Sequence, residues 1–132
     1  MERTRFDRMN CGIARAVEAF GDAWGLLVVR EAFFGVRRFA DFQSNLGIPR
    51  NTLSRRLSHL VEQGVVERVD AGTHGTRFEY RLTARGEALL PVLTALREWA
   101  DEHVFGRGRE PLRFEERATG RRVPRLVVRS AD

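Results

Sequence analysis

The 132-residue chain has no lysine; all 23 of its basic residues are arginine. Every cation is therefore a planar fork that can donate two parallel hydrogen bonds. Cysteine is nearly absent as well. Cys11 alone cannot form an intrachain disulfide, and His59, His74 and His103 are too scattered to give metal-ligand spacing. No structural zinc or other cofactor is expected. No apolar run approaches the roughly 20 residues that span a bilayer, and the opening MERTRFDRMN is too charged for a secretory signal. The expectation is a cytoplasmic chain without a membrane partner. Missing too are a paired nucleophile and base, a metal cluster and a glycine-rich phosphate loop. Without them no catalytic residue is expected and an enzyme is disfavoured.

What is present is positive charge, unevenly spread. The net charge is +5, which favours a polyanionic partner. Residues 36 to 56 set Arg37, Arg38, Arg50, Arg55 and Arg56 against Asp41 alone. Residues 83 to 105 set Arg85 and Arg97 against Glu87, Glu98, Asp101 and Glu102. One surface suits phosphates; another suits something else.

The apolar spacing is helical for the first half of the chain. Ile13, Ala16, Val17 and Phe20 line one face of a helix over residues 11 to 20 that Gly21 ends. Trp24, Leu27, Val28 and Ala32 predict a second helix stopping at Gly35, and Phe39, Phe42 and Leu46 a third stopping at Gly47. Leu53, Leu57, Leu60 and Val61 then mark the buried side of a fourth helix, with Pro49 near its first turn and Gly64 at its end.

From Val65 the period changes to two. VVERVD and TRFEYRL alternate, with Phe78, Tyr80 and Leu82 on one face and Arg77, Glu79 and Arg81 on the other. The intervening AGTHG is a polar tip, so residues 65 to 82 read as a β-hairpin. A long helix follows from Thr83, its cap, to about Val104, bent near Pro91 and striped by Leu89, Val92, Leu93, Leu96, Trp99 and Ala100. That stripe is more than a small core can cover, and a partner helix is expected. Residues 106–132 read either as a small hairpin, built from LRFEE and PRLVVR and packed on the domain or a partner, or as a partly disordered tail.

Helices followed at once by a hairpin, with arginines on the fourth helix, give the element order of a winged helix-turn-helix, mainly α with a small β-hairpin. In that fold one helix enters the major groove and the wing meets the backbone or minor groove. With Leu53 at the centre of the buried face, a step of about 100° per residue turns Asn51, Arg55, Ser58 and His59 away from the core and sets Arg50, Thr52, Ser54 and Arg56 on the flanks. Arginine pairs with guanine O6 and N7, asparagine with adenine, and hydroxyls with phosphates or base edges. Arg55 and Asn51 are expected on bases, and Arg50, Thr52 and Ser54 on phosphates, with Arg56 beside them. Arg37 and Arg38, where the chain would cross the DNA backbone, and Arg77 on the wing complete the candidate DNA-binding set. His74 at the wing tip is not assigned a contact. Taken alone, a basic amphipathic helix is more often a solvated surface than a DNA reader, and it is the hairpin straight after it that favours DNA.

At residues 11 to about 100 the chain resembles the HxlR family of bacterial winged-helix transcriptional regulators. The marks are Cys11, Trp24, RRF at 37 to 39, TLSRRL at 52 to 57, GVVER at 64 to 68, and YRLTARGEALLPVL at 80 to 93. The resemblance implies a homodimer joined by its first and last helices, bound to a two-fold site on double-stranded DNA with half-sites about one turn, roughly 34 Å, apart. It implies an arm at 1–10, a DNA-binding and dimerisation domain at 11–105 and an extension at 106–132. Two departures stand out: Ile48 occupies the place of a capping serine before the proline, and Arg55 stands where other residues are frequent. Some members sense oxidants or electrophiles at an amino-terminal cysteine, so Cys11 is the candidate regulatory residue. Its place at a helix start near Arg8 and Arg15 favours a thiolate; the alternative is a half-buried packing cysteine. Two other readings stay open: a protein-interaction module using the wing and apolar stripe, and a regulator taking a small aromatic effector among Phe20, Trp24, Phe33, Phe34 and Trp99.

Overall fold

A computed structural model describes residues 5–72, 77–112, 115 and 118–121. It comprises two compact units, Met1–Ala88 and Leu89–Asp132.

The first unit runs α1 (Gly12–Phe20), α2 (Ala23–Phe33), α3 (Phe39–Leu46), α4 (Arg50–Glu62), β1 (Val66–Asp70), β2 (Phe78–Leu82) and α5 (Ala84–Glu87). Val28, Val29, Ala32, Phe42, Ile48, Leu53, Leu57, Leu60, Val65 and Val66 are buried in its core. Each large aliphatic side chain so buried contributes roughly 1.5–3 kcal/mol. Helix α1 departs from the expected pattern: Phe20 is buried, but Ile13 is 78% and Val17 40% exposed. The helical period marks an apolar face without saying whether this chain covers it.

The corner between α1 and α2 is tight. Asp22 caps α2 by accepting from the Gly25 N–H at 3.0 Å. Gly25 in turn lies so close to the Phe20 carbonyl oxygen that no Cβ could fit there. Helix α3 ends at Gly47 in the left-handed region, φ 64°, its N–H donating to the Gln43 carbonyl at 2.9 Å.

Helix α4 begins one residue later than a serine cap would place it. Pro49 is the N-cap residue and no side chain caps the turn. Ile48, expected only as a defective cap, is instead 2% exposed. It stands at N′, with the buried Leu53 at N4, the two positions of a hydrophobic staple. Packing replaces the missing hydrogen bond.

The two strands pair antiparallel, Val66 with Leu82 through Asp70 with Phe78. Near the tip, Asp70 Oδ1 accepts from the Gly72 N–H at 3.1 Å; residues 73–76, with His74, lie outside the described residues. Where the hairpin returns, the Thr83 hydroxyl donates to the Gly64 carbonyl at the end of α4. It also accepts from the Gly86 N–H at 3.0 Å, capping α5 as expected.

The long helix expected from Thr83 to Val104 is broken. Helix α5 ends at Glu87, and α6 (Leu90–Ala100) starts afresh with Pro91 in its first turn. A proline ring clashes with the carbonyl four residues back, here Glu87, so the helix stops there instead of bending. In the second unit α6 runs into a π-helical turn, Asp101–Phe105. An ion pair of 2.9 Å joins Arg97 to Asp101 one turn on. Of the expected stripe only Leu93 is buried, while Val92 is 37%, Leu96 49% and Trp99 62% exposed. The alternating pieces at 112–116 and 124–129 fall almost wholly outside the described residues.

Candidate nucleic-acid interface

Helix α4 has one open flank and one closed flank. Arg50, Asn51, Ser54, Arg55, Ser58, Val61 and Glu62 are exposed, whereas Thr52, Arg56 and His59 are half-buried. The reason is the neighbouring corner. His59, expected to point away from the core, has Nε2 2.8 Å from the Glu18 carbonyl of α1. Arg56 Nε lies 3.0 Å from Asp22 Oδ2. On the other flank Val61, expected in the core, is 39% exposed. The polar face of α4 is thus rolled away from α1 relative to the symmetric face read from periodicity.

Five of the nine candidate DNA-contact residues stand fully on the surface of α4 or its approach: Arg38, Arg50, Asn51, Ser54 and Arg55. Arg38 is the N-cap residue of α3 with its side chain left over. The guanidinium of Arg50 sits 5.7 Å from the centroid of the Phe39 ring, a cation–π contact that orients it beside the start of α3. Thr52 is half-buried on the closed flank, and Arg77 is exposed where β2 begins. Arg37 and Arg56 differ from the rest: both are half-buried and held by partners in the protein, Arg37 on the Ala32 and Val36 carbonyls and Arg56 on Asp22.

Two features escaped the sequence reading. Arg68 lies 4.1 Å over the Phe78 ring, adding an exposed cation to the hairpin; its place in the strand VVERVD was visible, its partner was not. Asp22 joins the cap of α2 to Arg56, and only the cap is signalled by an Asp before a helical run.

Cys11 is the N-cap residue of α1, exposed and free, with no cap bond from its side chain. Within the single chain it is not half-buried. Of the aromatic residues considered for an effector, Phe20 is buried, Trp24 and Phe33 half-buried and Phe34 47% exposed. Trp99 belongs to the second unit, its ring centroid 5.4 Å from that of His103. Among the described residues no cluster of His, Cys, Asp or Glu could hold a metal ion, and no helix is long and apolar enough to cross a membrane.

Three tight helices, a polar fourth and an antiparallel hairpin make this fold a winged helix-turn-helix. The model of the HxlR-like helix-turn-helix family matches residues 19–106, and the chain belongs to that family. An uncharacterized HTH-type transcriptional regulator of Mycobacterium tuberculosis is 44% identical over 116 residues, 87% of this chain and 73% of that protein. The crystal structure of PA1607, described as a candidate transcription factor, is 42% identical with a TM-score of 0.85, over 97% of this chain and 89% of that one. The reduced form of the transcriptional regulator YodB from Bacillus subtilis is 28% identical, TM-score 0.62, over 72% of this chain and 95% of that one. YodB is also known in a quinone-bound form. The protein is a transcriptional regulator of the helix-turn-helix type, and the family implies DNA binding.

Proposed function

We propose that the protein is a homodimer that binds a two-fold operator in double-stranded DNA, one α4 per half-site. The observation that carries this is the open face of α4, where Asn51 and Arg55 stand between Arg50 and Ser58, exposed and supported from below by buried Leu53, Leu57 and Leu60. Asn51 and Arg55 read base edges; Arg38, Arg50, Ser54 and Arg77 take phosphates, with Thr52 at the edge of the contact. Apolar side chains left exposed on α1 (Ile13, Val17) and on α6 and its π turn (Leu90, Leu96, Trp99, Val104, Phe105) support covering by a second copy. The test is a gel shift at fixed salt with fragments of the genomic region upstream of the chain's own coding sequence. A fragment bound in preference to equal-length controls is the expected result; equal affinity for all fragments overturns sequence-specific regulation. Weak binding that salt leaves untouched favours a protein-interaction module instead.

We further infer that Cys11 carries the signal, either through an adduct with an electrophile, the thiol losing its proton, or through an intersubunit disulfide, an oxidant taking the two electrons and two protons released by a pair of Cys11 thiols. Its exposure at the start of α1 supports this, as does the likeness to YodB, whose structure is known with quinone bound. DNA release or tightening by an electrophile in the wild type, absent in Cys11→Ser, is the expected result. The same response in both proteins rules the thiol out.

A further inference from the structure

A helix that reads bases has to be fixed in roll as well as in place, because bidentate pairing tolerates only about 10–20° of misorientation. Leu53, Leu57 and Leu60 hold α4 down along one stripe, but apolar packing is non-directional. Direction comes from one hydrogen bond, made by His59, and from one ion pair, in which Arg56 meets Asp22 without hydrogen-bond geometry at Nε, both on a single flank. Arg56 Nε lies 3.0 Å from Asp22 Oδ2, and three residues on, His59 Nε2 lies 2.8 Å from the Glu18 carbonyl. That carbonyl only accepts, so Nε2 carries a proton.

Both ties end on one corner of the chain. Between Glu18 and Asp22, a Cβ on Gly21 would stand 3.1 Å from His59 Cδ2 and 3.5 Å from Arg56 Nη1. The corner itself is stiff: Asp22 Oδ1 holds the Gly25 N–H at 3.0 Å, and Gly25 is pressed against the Phe20 carbonyl. One oxygen of Asp22 caps α2 and the other holds α4.

We propose that Asp22 and Arg56 are positioning residues for DNA recognition, setting the roll of α4 and hence the discrimination made by Asn51 and Arg55 without touching DNA. The proposal rests on the reading of α4 as the DNA-contacting helix. It removes Arg56 from the phosphate contacts: its side chain is 16% exposed and already held by a carboxylate.

The full chain is used first to enrich a duplex from a randomised pool. That duplex and a scrambled one of the same composition are then titrated over a potassium chloride series with wild type, Asp22→Asn, Arg56→Gln and the double variant, thermal melting being followed by circular dichroism. Asparagine caps a helix as well as aspartate, so Asp22→Asn keeps the cap and removes the charge. Each single variant is expected to lose about tenfold in preference for the enriched duplex, equivalent to about 1.4 kcal/mol. Affinity for the scrambled duplex and the salt slope stay at wild type, and the double variant loses no more than either single one. A salt slope reduced by about one in Arg56→Gln alone, with Asp22→Asn unchanged, identifies a phosphate contact and overturns the proposal. Should Arg56→Gln fail to fold, Asp22→Asn decides, and wild-type preference in it overturns the proposal. Failure of the wild type to enrich any duplex overturns the DNA reading itself, before any variant is compared, and positioning falls with it.

Discussion

The Tyr80 N–H of β2 donates to the Arg37 carbonyl at 2.7 Å, which ties the wing to the segment joining α2 and α3. The Arg37 guanidinium turns back and donates through Nη1 to the Ala32 and Val36 carbonyls at 2.9 and 3.1 Å. The Ala32 carbonyl, which also accepts from the Gly35 N–H, and the Val36 carbonyl beyond the end of α2 are thus bridged by one charged donor. Arg37→Ala is expected to lower the unfolding free energy by about 1–3 kcal/mol in urea denaturation. Its salt slope of DNA binding should match the wild type. Wild-type stability with a reduced slope would return Arg37 to the phosphate contacts.

Arg55 and Arg38 are expected to fail differently. Arg55→Ala should relax base preference at one position of each half-site, by about 1–3 kcal/mol. Arg38→Ala should weaken binding to all sequences and reduce the salt slope by about one. Anisotropy titrations of specific and scrambled duplexes over a salt series separate the two.

Restoring a serine cap before α4 should harm the protein. Ile48→Ser offers a cap worth about 1 kcal/mol but removes a buried aliphatic side chain, at a cost of about 2–5 kcal/mol with the cavity included. A net loss of stability is expected in chemical denaturation. A gain would mean that the staple contributes nothing.

Two glycines to alanine should move stability in opposite directions. At Gly25 a Cβ meets the Phe20 carbonyl oxygen, so Gly25→Ala is expected to cost at least about 3 kcal/mol. At Gly12 a Cβ meets nothing within 4 Å, and Gly12→Ala in the first turn of α1 should gain about 0.4–1 kcal/mol. Thermal unfolding of the pair, read against wild type, checks both signs.

Cys11, exposed in the folded chain, should react with a small alkylating reagent in native buffer at nearly its rate in denaturant. Mass spectrometry after timed quenching gives both rates, and strong native protection would show that another copy of the chain covers it.

Much of this was legible in the residues. Leu53, Leu57 and Leu60 announced the buried side of α4, Gly47 its preceding turn, and the alternation of Phe78, Tyr80 and Leu82 the second strand. Local signals sufficed because these features depend on neighbours in sequence. What failed depended on neighbours in space. The spacing of Arg56 and His59 could not reveal that the corner at Glu18 and Asp22 closes one flank of α4, and the spacing of Ile13 and Val17 could not reveal that both stay exposed among the described residues. The break before Pro91 is the exception, because the clash with the Glu87 carbonyl is local and follows from the sequence alone.

Thr83 gives the first unit a mechanical property. Its hydroxyl gives its proton to Gly64, where α4 stops, and receives one from Gly86, where α5 starts. One oxygen atom is therefore the pivot between the turn that ends α4 and the helix that leaves the wing. A load applied to α5 reaches the turn that closes α4 across two hydrogen bonds, and only Gln63 separates that turn's Gly64 from the helix's last residue, Glu62.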